Sequence, residues 1–229
     1  MKKQGKRKIR ECVYCGEVRH VSREHVVPMC LFVQPYPPNL ITVPSCDECN
    51  NAKSLNDDYL RDMLAVDIFG NQSSVAQGIF HNKVLSSQRQ NSSVVARAAT
   101  SSARLEPFYT KQGIYLGHYP SFPIDGNRVE NTFSTLVRGL YYDARKKRFP
   151  ARYRFEVFRH YPWDFKYIWQ TFSGLHPNGP RILGNVFGCV FLSAQEDLFT
   201  TYWLFWFYER VLFSVSAMNP KFAQTEDSA

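Results

Sequence analysis

Residues 12–28, CVYCGEVRHVSREHVVP, and residues 46–53, CDECNNAK, decide how this chain is read. Each opens on a Cys-x-x-Cys pair, a spacing that folds two thiolates around one tetrahedral ion. One such pair is equally a redox motif, but two in a short segment predict a closed structural zinc site of Cys12, Cys15, Cys46 and Cys49. Gly16, next to Cys15, supplies the positive φ that a tight metal-binding turn needs. A closed four-thiolate site does no chemistry, yet it clamps the ends of residues 16–45 together. The two remaining cysteines, Cys30 and Cys189, are read as ordinary buried residues.

Inside the clamp, VRHVSREHVVP is rich in valine and ends on Pro28, which suits a strand stopped by a residue with no ladder donor. A proline-rich loop, QPYPPN, leads to the short apolar run LITVP. Beyond Cys49, Asn56 offers a helix cap with Asp57 and Asp58 in the first turn. Leu60, Met63, Leu64 and Ile68 follow at helical spacing. The segment therefore reads strand, loop, strand, helix.

In chain order, Cys12-x2-Cys15, Glu24-His25-Val26-Val27-Pro28, Asn39-Leu40 and Cys46-x2-Cys49-Asn50-Asn51-x-Lys53 resemble the HNH endonuclease family in its zinc-stabilised form. The resemblance covers about residues 10–70. It implies a ββα-metal fold and metal-dependent hydrolysis of phosphodiester bonds, leaving a 5′-phosphate and a 3′-hydroxyl. By position, His25 matches the general base that takes a proton from the attacking water, a task suited to a neutral imidazole. Glu24 matches an acidic ligand of the catalytic cation. Asn50 matches the helix ligand, with Asn51 as its neighbouring alternative. Asn39 matches the asparagine that holds the loop and orients the histidine, and Lys53 a position that reaches phosphate. Arg23 and His20 lie beside this set in sequence, and Arg23 is taken as a further phosphate contact.

The residue types fit that chemistry. A phosphodiester has a poor alkoxide leaving group, and a divalent cation stabilises the developing charge. Carboxylate and amide oxygens suit Mg²⁺ or Mn²⁺, whereas thiolates suit Zn²⁺. Two metals are implied, one structural and one catalytic. Neighbouring side chains on a strand point to opposite faces, so Glu24 and His25 serve one phosphate only where the strand end twists or bulges.

The rest of the 229-residue chain predicts an α+β protein: a basic arm over 1–9, the HNH unit over 10–70, a helical connector over 71–110 and a C-terminal mixed α+β domain over 111–229. In the last segment, strands are expected at 113–119, 152–159, 182–193, 199–208 and 210–217. A helix capped by Asn131 carries Phe133, Leu136, Val137, Leu140, Tyr141 and Ala144 on one face. The four tryptophans are assigned to the core.

A net charge of +8 points to a polyanionic partner. Arg145, Lys146, Lys147 and Arg148, within a wider cluster that includes Arg138, Arg152, Arg154 and Arg159, are candidate contacts to a nucleic-acid backbone. The apolar run Tyr202 to Tyr208 is too short for a membrane helix. Six cysteines without a secretory signal suggest a reduced compartment, the cytoplasm. The expected function is a metal-dependent DNA endonuclease of restriction or phage defence. An RNA-cutting enzyme of the same chemistry and a non-catalytic zinc module are the alternatives. A monomer would nick, and a homodimer is the assembly that cuts both strands.

Overall fold

The computed structural model describes residues 8–86, 93–110 and 112–221, and the fold is α+β. It begins with a three-stranded antiparallel sheet, β1 (Lys8–Glu11), β2 (Val18–His25) and β3 (Thr42–Cys46), in spatial order β1-β2-β3. β3 runs directly into α1 (Asp47–Val66). The strand–strand–helix order expected from the sequence is therefore present, with β1 added at its edge. Residues 1–7 of the basic arm lie outside the described residues, while Lys8 and Ile9 belong to β1 rather than to an arm.

α1 starts nine residues before the expected cap. Asp47 and Glu48 occupy its first turn, where carboxylates favour the helix dipole, and extended Cys46 is the residue before it. Asn56 consequently lies in the helix interior. β2 also ends earlier than expected, at His25. Val26, Val27 and Pro28 turn inward and are buried, and Pro28 leads into a short helical turn over Met29–Leu31.

The connector holds α2 (Ser74–Ile79), which continues into a wider helical turn over Phe80–Val84, and α3 (Val94–Ser101). Part of the connector, residues 87–92, lies outside the described residues. The end of the 71–110 segment, expected to be helical, is instead β4 (Arg104–Tyr109), which pairs with β5 (Tyr115–Ser121) as a hairpin ahead of α4 (Gly126–Arg145). The cap of α4 is Asp125, whose Oδ1 accepts from the Arg128 N–H at 3.1 Å, so the helix starts ahead of the expected Asn131.

The remaining strands are β6 (Arg154–His160), β7 (Asn178–Leu183), β8 (Phe187–Ser193), β9 (Thr201–Phe207) and β10 (Val211–Met218). They form one antiparallel sheet in the order β6-β10-β9-β8-β7. The single strand expected at 182–193 is two, because Gly184 takes a φ of +59° and turns the chain. A helix that periodicity did not reveal, α5 (Phe165–Gly174), lies between β6 and β7.

This sheet is covered on both faces, which explains the almost unbroken apolar run of β9. Trp203, Phe205 and Phe207 face the main core, where Phe133 of α4 meets Phe205 with ring centroids 5.4 Å apart. Leu204 and Trp206 alternate to the other face and pack with Phe165, Trp169 and Phe172 of α5. Trp203 is fully buried and Trp169 and Trp206 are partly buried, but Trp163, also expected in the core, is exposed.

The boundary placed near residue 70 does not divide the core. One cluster of buried side chains includes Val26, Leu31 and Phe32 from the clamp, Leu60 and Leu64 from α1, and Phe133, Leu140, Phe205 and Phe213 from the C-terminal part. Tyr208 donates to the Leu31 carbonyl at 3.1 Å across the same junction. α4 lies between α1 and the large sheet. Gly139 marks its closest approach to the end of β2, since a Cβ there would stand 2.6 Å from Val26 Cγ1. Gly139→Val is therefore expected to destabilise the whole protein by about 3 kcal/mol through overpacking. Urea unfolding checks this, and an unchanged midpoint would mean that α4 is not docked here.

Candidate functional site

The four predicted cysteines converge. The Sγ atoms of Cys12, Cys15, Cys46 and Cys49 all lie within 4.8 Å of one another, and those of Cys15 and Cys46 are 3.9 Å apart. A tetrahedral zinc with ~2.3 Å bonds to sulfur requires S–S separations of about 3.8 Å, so the cluster fits that ion. The first pair sits on the turn between β1 and β2, and the second bridges the end of β3 and the first turn of α1. Burial opposes ionisation of Cys12, but N–H donors from Cys15, Cys46 and Tyr14 outweigh it and bring the thiol down to about 7. Burial and then the adjacent Cys12 push Cys15 up to about 11, and Cys49 is raised further by burial and its Cys46 contact. One thiolate thus forms readily, and a bound cation provides the charge that ionises the others.

Gly16 has the expected positive φ, +82°, and serves a second purpose. A Cβ there would meet the Arg148 guanidinium at 2.6 Å, so this residue lets Arg148 lie over the turn and pair with Glu11 at 2.9 Å.

At the far end of β2, a polar cluster faces α1. With its amide turned to donate, Asn50 reaches Glu24 Oε2 at 2.5 Å. The Lys53 ammonium is 3.2 Å from Glu24 Oε1 and 2.5 Å from Asp57 Oδ2. Glu24 and Asn50, expected together, are thus in contact. Lys53 stands beside them with a side chain only 4% exposed, held between two carboxylates rather than projecting outward. Burial raises Asp57 to about 6 although Lys53 favours its charged form.

His25 closes β2, opposite Thr42, and its half-buried ring has no hydrogen-bond partner among the described residues. Burial lowers its pKa below 6.5, and nearby Lys53 acts in the same direction against the pull of Glu24. The ring is therefore neutral at physiological pH, with a free nitrogen lone pair.

The other candidates are spread out. Asn39 is exposed, and its amide donates to the Ile182 carbonyl at 3.3 Å, tying the proline-rich loop to β7. Arg23 is exposed on β2. Arg145 donates to Asn178 Oδ1 at 2.7 Å, Lys146 lies 3.2 Å from Asp143, and Lys147 is exposed. Within the wider basic cluster, Arg138 is committed to the carbonyls of Phe149, Pro150 and Ala151, and Arg159 to Asp67 at 3.0 Å. Those two hold the fold and do not add to a surface patch.

Two residues of the cluster were not singled out from sequence. Asp57, expected in the first turn of a helix, instead pairs with Lys53 at i,i+4 spacing, a signal present in the sequence. Tyr14 lies inside the first Cys-x-x-Cys. Its hydroxyl is buried without a partner among the described residues, and burial, then the Glu24 and Asp57 carboxylates, raise its pKa.

The purified protein is expected to carry one zinc per chain by elemental analysis. Cys46→Ser should lose the metal and the cooperative unfolding transition. Full zinc occupancy in that variant would reject the four-thiolate assignment. Comparisons of the chain with protein-family models, with curated proteins and with solved structures gave no match.

Proposed function

We propose that the protein is a metal-dependent endonuclease that hydrolyses DNA phosphodiester bonds, with His25 as general base and Glu24 and Asn50 as ligands of a Mg²⁺ or Mn²⁺ ion. The observation that carries this reading is the 2.5 Å contact of Glu24 and Asn50, from a strand end and a helix start, one residue before a half-buried histidine whose pKa burial lowers. The Glu24 carboxylate and an Asn50 side chain able to present its amide oxygen beside it make a hard donor pair. Such a cation supplies charge stabilisation to the scissile phosphate and leaving oxygen. His25 takes the proton of the attacking water. Glu24 and Asn50 would hold the cation, Asn50 through its amide oxygen, and Asp57 would keep Lys53 as its ion-pair partner.

The ion pair of Lys53 with Glu24 also favours a second reading, a non-catalytic zinc module in which lysine permanently neutralises the carboxylate. Turnover separates the two. With Mg²⁺ or Mn²⁺, the wild type should convert supercoiled plasmid to nicked or linear forms. His25→Ala should be at least about 100-fold slower, the usual contribution of a general base. The wild-type rate should rise with pH and level off at an inflection below 6.5, because the base is active only when deprotonated and burial lowers its pKa. Absence of cleavage by zinc-loaded protein, or an alanine variant as fast as wild type, contradicts the reading.

A further inference from the structure

A groove of about 790 Å³ separates the outer face of the β1-β2-β3 sheet from the last turn of α4. Its lining carries four cations, Lys8 and Arg10 of β1, Arg23 of β2 and Lys146 at the end of α4, and no carboxylate. All four are exposed. Lys8, Arg10 and Arg23 have no ion-pair partner among the described residues, whereas nearby Arg19 is already paired with Glu17 and with Glu48. Asp143, the neighbour of Lys146, is shared with Arg181 at 3.5 Å, so it only partly offsets the groove's charge.

The groove leads to the candidate site. Thr42, on its wall, is the register partner of His25. Arg23 stands two residues before His25 and so shares its face of the strand, while Glu24 faces α1. A polyanion lying along Lys8, Arg10 and Arg23 therefore arrives at the imidazole.

We propose that this groove seats the sugar–phosphate backbone of duplex DNA, with Lys8, Arg10, Arg23 and Lys146 as its phosphate contacts and His25 at its inner end. Duplex is favoured over single strands because Tyr142 is the one aromatic residue in the lining, whereas unpaired bases are held on several stacking rings. Phosphate contacts of this kind position a duplex without reading its sequence. The role of His25 at the end of the track rests on the nuclease reading, but occupancy of the groove is measured without cleavage.

The test is fluorescence anisotropy of a labelled 30-base-pair DNA with the zinc-loaded full chain, without added Mg²⁺ or Mn²⁺, over a salt series. Lys8→Ala/Arg10→Ala/Arg23→Ala is expected to weaken binding at least about tenfold. It should also reduce the slope of log K against log salt by about 3, roughly one per lost phosphate contact. Arg23→Ala alone should lower the slope by about 1, and Lys166→Ala, on α5 and outside the groove lining, should change neither quantity. Zinc content and thermal midpoint should be unaffected, because the altered side chains are exposed. Wild-type binding that depends on these cations supports the groove even in a protein that cuts nothing, so failure of the nuclease reading is distinguishable. Wild-type affinity and slope in the triple variant overturn it, as does tighter binding of a matched RNA duplex or of an acidic polypeptide.

Discussion

The arrangement depends on the clamp that joins the β1–β2 turn to the start of α1. The Cys46 N–H lies 3.4 Å from Cys12 Sγ, and all four sulfurs converge at this junction. Metal binding at such a site is worth on the order of 10 kcal/mol of folding free energy. It fixes the angle at which α1 leaves β3. That angle brings Asn50, one residue beyond the last thiol, to Glu24 near the end of the neighbouring strand. Asn50 and Lys53 are three residues apart, so one helical turn presents both to the same carboxylate. The clamp thus positions the polar cluster without contributing a reacting group.

The C-terminal sheet completes this unit by covering its apolar side. Val26, Val27 and Leu31, which follow His25 directly, are buried in the same core as α4 and the large sheet. Gly139 permits that approach, and Asn39 anchors the loop from the other end. His25 therefore sits where an exposed strand passes into a packed interior. This position accounts for its half-buried ring and lowered pKa.

Much of this was legible in the chain. The cysteine spacing pointed to the clamp, valines ended by Pro28 to β2, alternation to β6 and apolar runs to β9 and β10, because each depends on local pattern. Helix starts were misplaced at Asn56 and Asn131. Asparagine is a good cap in isolation, but Cys46 at the metal-binding junction and Asp125, hydrogen-bonded to Tyr59, determine the starts here. The continuous core could not be read from composition, since the change in residue types near position 70 says nothing about which apolar faces meet. Lys53 posed a similar problem: its burial arises from Glu24, twenty-nine residues away in sequence, and from Asp57.

The cation site proposed at Glu24 and Asn50 is separate from the four thiolates. Titrating Mn²⁺ into zinc-loaded protein, followed by electron paramagnetic resonance, tests it most directly. One Mn²⁺ should bind per chain with zinc retained, and Glu24→Gln should lose that binding with the zinc untouched. No Mn²⁺ binding by the wild type, or equal binding by the variant, would contradict it.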